Sequence, residues 1–537
     1  MLYAVSNFKV ELDEDETAVN TRLIAMLGIS RDACMNIVCV RRAIDARKKS
    51  RIHFVCTYEI ELSDALTTLP PQVRCMEHSA LEPISPDIFK QRRENTSHAI
   101  IIGAGPAGLF AAISLAEAGI QVTLLERGKA VEARMRDIGR LRSRGELNPE
   151  SNICFGEGGA GTYTDGKLYT RIKHPYLRHV LHTFVRFGAR SDILIDAHPH
   201  LGTDKLVHIV RQMRQHLLSL GVDYRFECRV DDLVIDAGRV TGVCIENGEE
   251  IAADHVILAT GHSARDTFHR LHERGVHMQA KAFAVGVRAE HPQQLINRSQ
   301  YGRMAGHAKL GAAEYKLTHQ VPDPYLDKRG VYSFCMCPGG LIVPSPTEAG
   351  GMAVNGMSNA KRAGAWANSG IVVQVTPDDM QRHGISNNPL MGIEFQRQLE
   401  TATFRAAGAQ YAAPAMRLVD FIGKNATGKL APTRFKPEAI AADLWDVFPD
   451  WLGEPLCAGI KGFGQKMRGF VTTEANLLAA ETRTSSPLRI DRNDDMQSIN
   501  MPGLYPVGEG SGYAGGIVSA AVDGLKAAAA IIEKTTA

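Results

Sequence analysis

Three closely spaced glycines and one acidic residue carry the strongest chemical signal in this sequence. Gly103, Gly105 and Gly108 follow a short apolar run, and Glu126 comes after the helix-like segment that the glycines open. At this spacing the first glycine allows a tight turn, the second lets a pyrophosphate approach the backbone, and the third lets a helix pack closely on a strand. A carboxylate at the position of Glu126 can accept hydrogen bonds from ribose hydroxyls. The pattern therefore predicts a dinucleotide-binding site.

A pair of cysteines forms a second candidate. Cys335 and Cys337 are separated by one residue in the segment SFCMCPGG. Two residues at this spacing on a strand point to the same face, so the thiols could act together on a cofactor or a substrate. The pair lacks the C-x-x-C spacing at a helix start that is typical of redox motifs, and we favour packing or loop structure as its role.

Several polar side chains could bind an anion or move a proton near the nucleotide. His262, with Arg265 and Asp266, follows an apolar run that ends in Ala-Thr-Gly, where it could serve as proton donor or anion clamp. A helix-start residue that contacts phosphate is the alternative. Lys167 could bind a cofactor carbonyl or a substrate, or be a solvated loop lysine. Residues 483–486 read as a turn and helix cap, or as the mouth of a substrate site. The histidines and cysteines lack metal-ligand spacing, and no metal site is predicted.

Secondary-structure patterns place the glycine turn between a buried strand and a helix. Ala99–Ile102 is an apolar run, Pro106–Ala118 is rich in Ala and Leu, and Gln121–Leu125 returns as a strand. The free N–H groups at the start of this helix favour a phosphate. Residues 151–171 form a glycine-dense loop. Further along, the patterns predict helices over Tyr176–Phe187, Thr203–Leu220, Pro389–Ala407 and Ile517–Ile532, and strands within 222–261 and over Lys281–Glu290, Gly340–Pro344 and Leu504–Val507.

Composition indicates a multidomain globular protein. A chain of 537 residues exceeds what one core holds, and a net charge of +2 gives no global attraction to nucleic acid or membrane. The N-terminal segment lacks the pattern of a signal peptide, and no segment reaches the length of a membrane span. The 10 cysteines show no paired framework. We therefore expect a cytoplasmic protein.

The first part of the chain is predicted to be a small α+β domain. Tyr3–Leu12 and Arg51–Leu62 alternate like strands, Thr17–Leu27 suits a helix, and a polar, proline-containing linker extends to residue 97. A basic run here is either a solvated strand edge or turn, which we favour, or a phosphate or RNA contact. Its members are Arg41, Arg42, Arg47, Lys48, Lys49 and Arg51.

Four segments together resemble a known class of proteins. They are the GAGPAG turn with its acid, the loop GEGGAGTYTDGKL, the segment VILATGHSARD and the terminal LYPVGEGSGYAGGIVSAAVDGLKAA. The chain resembles the FAD oxidoreductases with two dinucleotide-binding motifs, and most closely a little-characterised branch of FAD-dependent dehydrogenases related to the glucose-inhibited division protein A flavoproteins. The resemblance implies an α/β fold: a Rossmann-like FAD-binding domain with a parallel sheet and a β-meander, an inserted α+β substrate domain and a small N-terminal α+β domain. The implied boundaries are 1–92 for the accessory domain with its linker, 98–270 and 496–537 for the two parts of the FAD-binding domain, and 271–495 for the insert.

The resemblance also implies FAD as cofactor. The expected acid after Gly508 is aspartate, and this chain has Glu509 instead. The helix that Gly515 and Gly516 open could direct its amides toward the flavin and stabilise negative charge there. The predicted FAD contacts are Gly103, Ala104, Gly105, Pro106, Ala107, Gly108, Glu126, Arg127, Gly158, Gly159, Gly161, Thr162, Ala259, Thr260, Gly261, Gly508, Glu509, Gly515, Gly516 and Ile517.

The predicted activity is transfer of a hydride or electrons between flavin and a small-molecule substrate or NAD(P)H. Residues 270–495 contain no second glycine motif for a nicotinamide nucleotide. Either NAD(P)H docks transiently without a Rossmann unit of its own, or the substrate itself is the reductant. The candidate catalytic residues are Lys167, His262, Cys335 and Cys337. Two alternatives stay open: an RNA-binding flavoprotein that acts on or with tRNA through its basic N-terminal domain, and a scaffold in which FAD is structural.

Overall fold

The computed structural model describes residues 1–82, 86–89 and 96–536. The N-terminal module is a four-stranded antiparallel sheet of order β2-β3-β1-β4 with one helix packed against it. Its elements are β1 Leu2–Glu11, α1 Glu16–Leu27, β2 Cys34–Asp45, β3 His53–Leu62 and β4 Val73–Met76. The Asp15 side chain caps α1 by accepting a hydrogen bond from the Ala18 amide at 2.8 Å. Residues 83–85 and 90–95 of the predicted linker lie outside the described residues.

The glycine turn belongs to a parallel sheet that is covered by helices. Gly103 follows the strand β5, and the helix α2 begins at Pro106, as predicted. The three short strands β8, β9 and β10 form the expected antiparallel meander. The elements of this part are β5 His98–Ile102, α2 Pro106–Glu117, β6 Gln121–Leu125, α3 Val131–Arg144, α4 Tyr176–Arg186, α5 Thr203–Ser219, β7 Asp223–Arg225, β8 Val230–Asp236, β9 Arg239–Ile245, β10 Glu250–Ala252, β11 His255–Leu258 and α6 Arg265–Glu273.

The next part of the chain is built on a mixed seven-stranded sheet of order β14-β15-β18-β13-β21-β19-β20. Its strands pair antiparallel except for β19 and β20, and its central strand β13 is buried along nearly its whole length. The elements are β12 Met278–Ala280, β13 Phe283–Pro292, α7 Gln293–Tyr301, β14 Thr318–Asp323, β15 Asp327–Cys337, β16 Leu341–Pro344, β17 Val354–Met357, β18 Trp366–Val375, α8 Pro377–Arg382, α9 Met391–Ala406, β19 Ala413–Arg417, α10 Leu418–Gly423, β20 Ala439–Ala441, α11 Asp450–Lys466, β21 Asn476–Glu481 and β22 Leu488–Ile490.

The C-terminal segment returns to the parallel sheet and completes it. The strand β23 Leu504–Pro506 pairs with β11, which gives the order β23-β11-β5-β6-β7, and the helix α12 Ile517–Thr536 packs along α2. Gly524 makes this helix contact possible, since a Cβ there would lie 2.1 Å from the Ala107 carbonyl oxygen. The predicted fold class is confirmed, while the exact domain boundaries stay predictions. Among the described residues, no helix combines the length and the apolar character that a membrane crossing needs.

Candidate functional site

The three glycines of the turn divide into two that are packed and one that faces open space. Gly103 has φ +104°, and a Cβ there would lie 2.6 Å from the Ala259 carbonyl oxygen. A Cβ on Gly108 would lie 1.9 Å from the Gly103 carbonyl oxygen. At Gly105 the nearest atom to an added Cβ is the Gly159 Cα, at 3.9 Å. Gly103 and Gly108 therefore serve the turn and the helix contact, and Gly105 leaves room for a ligand beside the start of α2.

The Glu126 carboxylate lies at the end of β6 and joins the two glycine-rich loops. Its Oε2 accepts a hydrogen bond from the Ala104 amide at 2.9 Å, and its Oε1 accepts from the amides of Gly128 and Gly156 at 2.8 and 3.0 Å. These three bonds leave acceptor capacity on a carboxylate. Arg127, a predicted cofactor contact, is held by Glu150 at 2.7 Å and by Asp266 at 2.8 Å.

Arg134 organises the glycine-dense loop and was not among the residues predicted from the sequence. The side chain is fully buried, and its guanidinium donates only to backbone carbonyls. It lies on the buried face of α3 with Val131, Ile138 and Leu141. A charged residue in that apolar stripe is the signal that could have identified it. The carbonyl acceptors are those of Asn152, Ile153, Gly156, Glu157 and Gly159, at 2.7 to 3.2 Å.

The loop that Arg134 holds lies directly against the glycine turn. The Gly158 amide donates to the Ala104 carbonyl at 2.8 Å, and a Cβ on Gly159 would come within 3.0 Å of the Gly105 Cα. A Cβ on Gly161 would lie 2.9 Å from the Ile517 side chain at the start of α12. Thr162 is buried beside Gly158. The predicted contacts of this loop therefore lie close to the N-termini of α2 and α12.

The terminal glycine motif converges on the same edge of the sheet. The Gly508 amide donates to Asp523 at 2.8 Å, and a Cβ on Gly510 would lie 2.3 Å from the Gly261 carbonyl oxygen. At Gly515 and Gly261, by contrast, an added Cβ would meet nothing within 4 Å. Gly516 has only the Ser519 hydroxyl at that distance. The ends of β5, β11 and β23 therefore border open space where backbone is unshielded, as an extended dinucleotide requires.

The residues after β11 are assembled differently from the predicted grouping. His262 and Arg265 lie near each other, but Asp266 pairs with Arg127. Arg265 and Arg483 both bind Glu400, at 2.8 and 2.9 Å, in a cluster that is almost entirely buried. Burial, reinforced by the two arginines, lowers the pKa of His262 to about 4. Its imidazole is therefore neutral near pH 7, and Arg483 lies in a buried ion cluster.

The two cysteines lie at an irregularity of β15. Phe334 pairs with Gly370 of β18 and Cys337 with Asn368, so β15 carries an extra residue, and Cys335 adopts φ +45°. This bulge interrupts the alternation of side chains on which the same-face argument for the two thiols depends. Cys335 keeps partial exposure, whereas Cys337 is buried.

Lys167 connects this bulge to the nucleotide-binding part of the chain. Its Nζ donates to the carbonyl of Met336, the residue between the two cysteines. Burial acts to lower the pKa of Lys167, but the neighbouring Cys335, Cys337 and Asp165 raise it above its usual value. Three of the four candidate catalytic residues, Lys167, Cys335 and Cys337, therefore lie together. The fourth, His262, lies instead near Arg265 and Arg483.

The basic run of the N-terminal module lies on β2 and the following turn. Arg42 binds Asp196 at 2.8 Å, Arg47 binds Asp45 at 2.5 Å, and Arg51 binds Glu11 at 3.1 Å. β2 is an edge strand of its sheet, and its Arg42 backbone bonds to the segment that contains Asp196. Half of the run is thus neutralised by ion pairs.

Comparisons with known proteins agree with the glycine motifs. The sequence matches the families described as FAD-dependent protein, C-terminal domain-like, at residues 282–484, FAD dependent oxidoreductase at 206–329 and FAD binding domain at 96–139. Residues 2–61 match a domain of unknown function. An uncharacterized protein of Clostridium beijerinckii is 39% identical over 99% of both chains.

More distant similarities either cover a smaller part of the chain or have low sequence identity and a low TM-score. A digeranylgeranylglycerophospholipid reductase of Haloferax volcanii is 29% identical over 31% of this chain and 35% of its own length. Among solved structures, CtdE in complex with FAD is 12% identical, with a TM-score of 0.30 over 81% of this chain and 84% of its own. The GidA-related protein from Thermus thermophilus is 15% identical, with a TM-score of 0.22 over 35% of this chain and 72% of its own.

Proposed function

The chain belongs to a family of FAD-dependent proteins of the oxidoreductase class, and from this premise we propose that it passes electrons between FAD and a small-molecule substrate. The observation that carries the proposal is the convergence of separate glycine motifs on one edge of the parallel sheet. Gly105, Gly261, Gly515 and Gly516 border open space there, while their neighbouring glycines are closely packed. Such an arrangement suits a long, partly anionic ligand that needs bare backbone along its whole length.

The residues present fit each part of FAD. The free amides at the start of α2 would bind the pyrophosphate, and the acceptor capacity left on Glu126 would serve the ribose of the ADP half. The start of α12 would hold the flavin end, where its positive dipole favours negative charge. FAD supplies two-electron chemistry when bound. The protein then has to orient the substrate, exclude water and place protons.

Two neighbouring groups could manage protons at the flavin end. Burial raises the pKa of Glu509 to about 7, so this carboxyl changes protonation near neutral pH. Lys167 is a charged donor fixed to the Met336 carbonyl. We propose NAD(P)H only as a transient donor, because residues 270–495 offer no nucleotide-binding motif of their own.

The first experiment tests the cofactor by substitution of Gly105. We expect Gly105→Val to fold and to lose the yellow colour, because its Cβ would meet no protein atom closer than 3.9 Å while its side chain would occupy the space beside α2 that the ligand needs. Gly139→Val is the matched control, because a Cβ there meets nothing within 4 Å and the residue lies on the exposed face of α3. A yellow Gly105→Val protein would refute the assignment.

The second experiment tests the activity. Purified protein is kept anaerobic while NADH and then NADPH are added, and the oxidised flavin bands are followed. Rapid bleaching would support a pyridine-nucleotide-linked reductase. Without bleaching, amines and hydroxy acids are tested as direct reductants, and a flavin that none of these compounds reduces would contradict the proposed electron transfer.

A further inference from the structure

The bulge that contains the two cysteines is built in an unusual way. Cys335 occupies a left-handed backbone conformation, φ +45°, where glycine is the residue with no steric penalty. Non-glycine residues in such conformations occur preferentially at functional sites, where surrounding contacts hold them. Here Arg288 supplies such a contact, because its Nη2 donates to the Cys335 carbonyl at 2.7 Å.

The same arrangement holds the Cys337 side chain against the backbone of Cys335. The Cys337 Sγ donates to the Cys335 carbonyl at 3.3 Å, so its side chain turns back toward its neighbour. The Arg288 Nη2 lies 3.8 Å from the Cys337 Sγ. Arg288 is itself fixed by Glu481 at 2.5 Å and by Asn368 at 2.8 Å, and it is fully buried. The pair therefore has a rigid base and one partly exposed member.

The charges around the pair distinguish its two members. The interaction with the Cys337 side chain, together with Lys167 and Arg288, lowers the pKa of Cys335 against the effect of burial. The same interaction and burial raise the pKa of Cys337. A thiol of lowered pKa beside one of raised pKa is the asymmetry that thiol–disulfide chemistry uses. The charged and titratable groups that face Cys335 are Lys167, Asp165, Tyr169, Arg288, Cys337, Glu481 and Glu509.

The pair also lies where the flavin end of the cofactor site is expected. Glu509 belongs to the terminal glycine motif, and Cys335 contributes to its raised pKa. Lys167 follows the glycine-dense loop and reaches the Met336 carbonyl. The cysteine pair thus lies near two segments of the nucleotide-binding part.

We propose that Cys335 and Cys337 are a redox-active pair that alternates between dithiol and disulfide and exchanges two electrons with FAD bound in the adjoining cleft. This inference rests on the proposed function. In the reducing direction, the S–S bond breaks as the pair takes up two electrons and one proton from reduced flavin, which becomes oxidised. The products are a Cys335 thiolate and a Cys337 thiol. In the opposite direction the S–S bond forms, and the two electrons and the proton pass to oxidised flavin.

The decisive measurement counts electrons. Full-length protein is oxidised in air, made anaerobic and titrated with dithionite, and the uptake per chain is compared between the wild type and Cys335→Ser. We expect the wild type to take up two electrons more than Cys335→Ser or Cys337→Ser. Cys244→Ser, in which a partly exposed cysteine of the meander is replaced, should match the wild type.

A second measurement needs no variant. Alkylation of the reduced wild type with iodoacetamide at pH 6, mapped by peptide mass, should modify Cys335 at least about tenfold faster than Cys244, since one pKa unit changes the thiolate fraction tenfold. Equal electron uptake in the wild type and Cys335→Ser would overturn the proposal, as would equal alkylation of Cys335 and Cys244. Absence of flavin absorbance would instead refute the proposed function, and the two-electron difference between the proteins would still be measurable.

Discussion

Arg134→Met gives the sharpest test of how the cofactor site is assembled. Methionine has nearly the length of arginine but no donors, so the substitution removes five hydrogen bonds to carbonyls of residues 152–159. If each of these hydrogen bonds contributes a net stabilisation of about 1 kcal/mol, their loss lowers the free energy of unfolding by about 5 kcal/mol. Burial disfavours the charged guanidinium and lowers its pKa. The substitution removes this unfavourable buried charge, which offsets part of the lost stability. We expect a net loss of about 3 kcal/mol.

The free energy of unfolding is measured by urea denaturation of the cofactor-free protein, so that bound FAD does not contribute. FAD affinity is measured separately, by release of flavin fluorescence, and should fall at least about tenfold because the loop beside Gly105 loses its anchor. Arg136→Met is the control, since that arginine is exposed on the same helix and should change stability by less than about 0.5 kcal/mol. An Arg134→Met protein as stable as the control, with unchanged FAD affinity, would refute this account of the loop.

Three further substitutions test other features of the structure. Gly108→Ala should destabilise the protein by about 1 to 3 kcal/mol, measured by thermal unfolding, because its Cβ would lie 1.9 Å from the Gly103 carbonyl oxygen; an unchanged melting temperature would contradict this packing. Glu126→Gln should weaken FAD binding at least about tenfold, measured by flavin fluorescence, because one amide oxygen replaces two acceptors of three backbone hydrogen bonds; wild-type affinity would exclude that role. Burial raises the pKa of Glu290 to about 7, so the stability it contributes is present below pH 4.5 and lost as the pH rises through 7. Glu290→Gln, neutral throughout, should therefore resist urea better than the wild type at pH 8 but not at pH 4, and a difference independent of pH would argue against a titrating carboxyl.

The parts of the fold that local sequence specifies were predicted well. The strand, turn, helix and strand around Gly103 depend on contacts within a few residues, and the meander follows from the turns at Ala237-Gly238 and Asn247-Gly248. The extent of the strand β2 was not predicted, although the basic run was favoured as a strand edge or turn, and there is a physical reason. It is an edge strand in which Val40 is the only fully buried residue, so it lacks the alternation that marks a strand.

The candidate site was only partly predictable, because its glycines act locally and its charged residues do not. The spacing of Gly103, Gly105 and Gly108 is enough to predict that the first and third glycines are packed and that the second faces a ligand. This prediction needs no information about the rest of the chain. Arg134, by contrast, has meaning only through carbonyls that a loop brings to it. Its position in an apolar stripe indicates that it is buried but does not identify its acceptors.

The chemistry of the cysteine pair depends even more on tertiary structure. In an unfolded chain Cys335 has the pKa of an ordinary thiol, since Lys167 and Arg288 are far away in sequence. In the folded protein the interaction with Cys337 lowers this pKa most, and Lys167 and Arg288 lower it further, because Lys167 reaches across to Met336 and Arg288 is fixed on β13. The reactivity of the thiol is therefore coupled to contact between the nucleotide-binding part and the seven-stranded sheet. Substitutions that loosen this contact should therefore reduce the reactivity of Cys335 toward iodoacetamide even where they leave FAD bound. The segment SFCMCPGG alone would not produce such a dependence on distant residues.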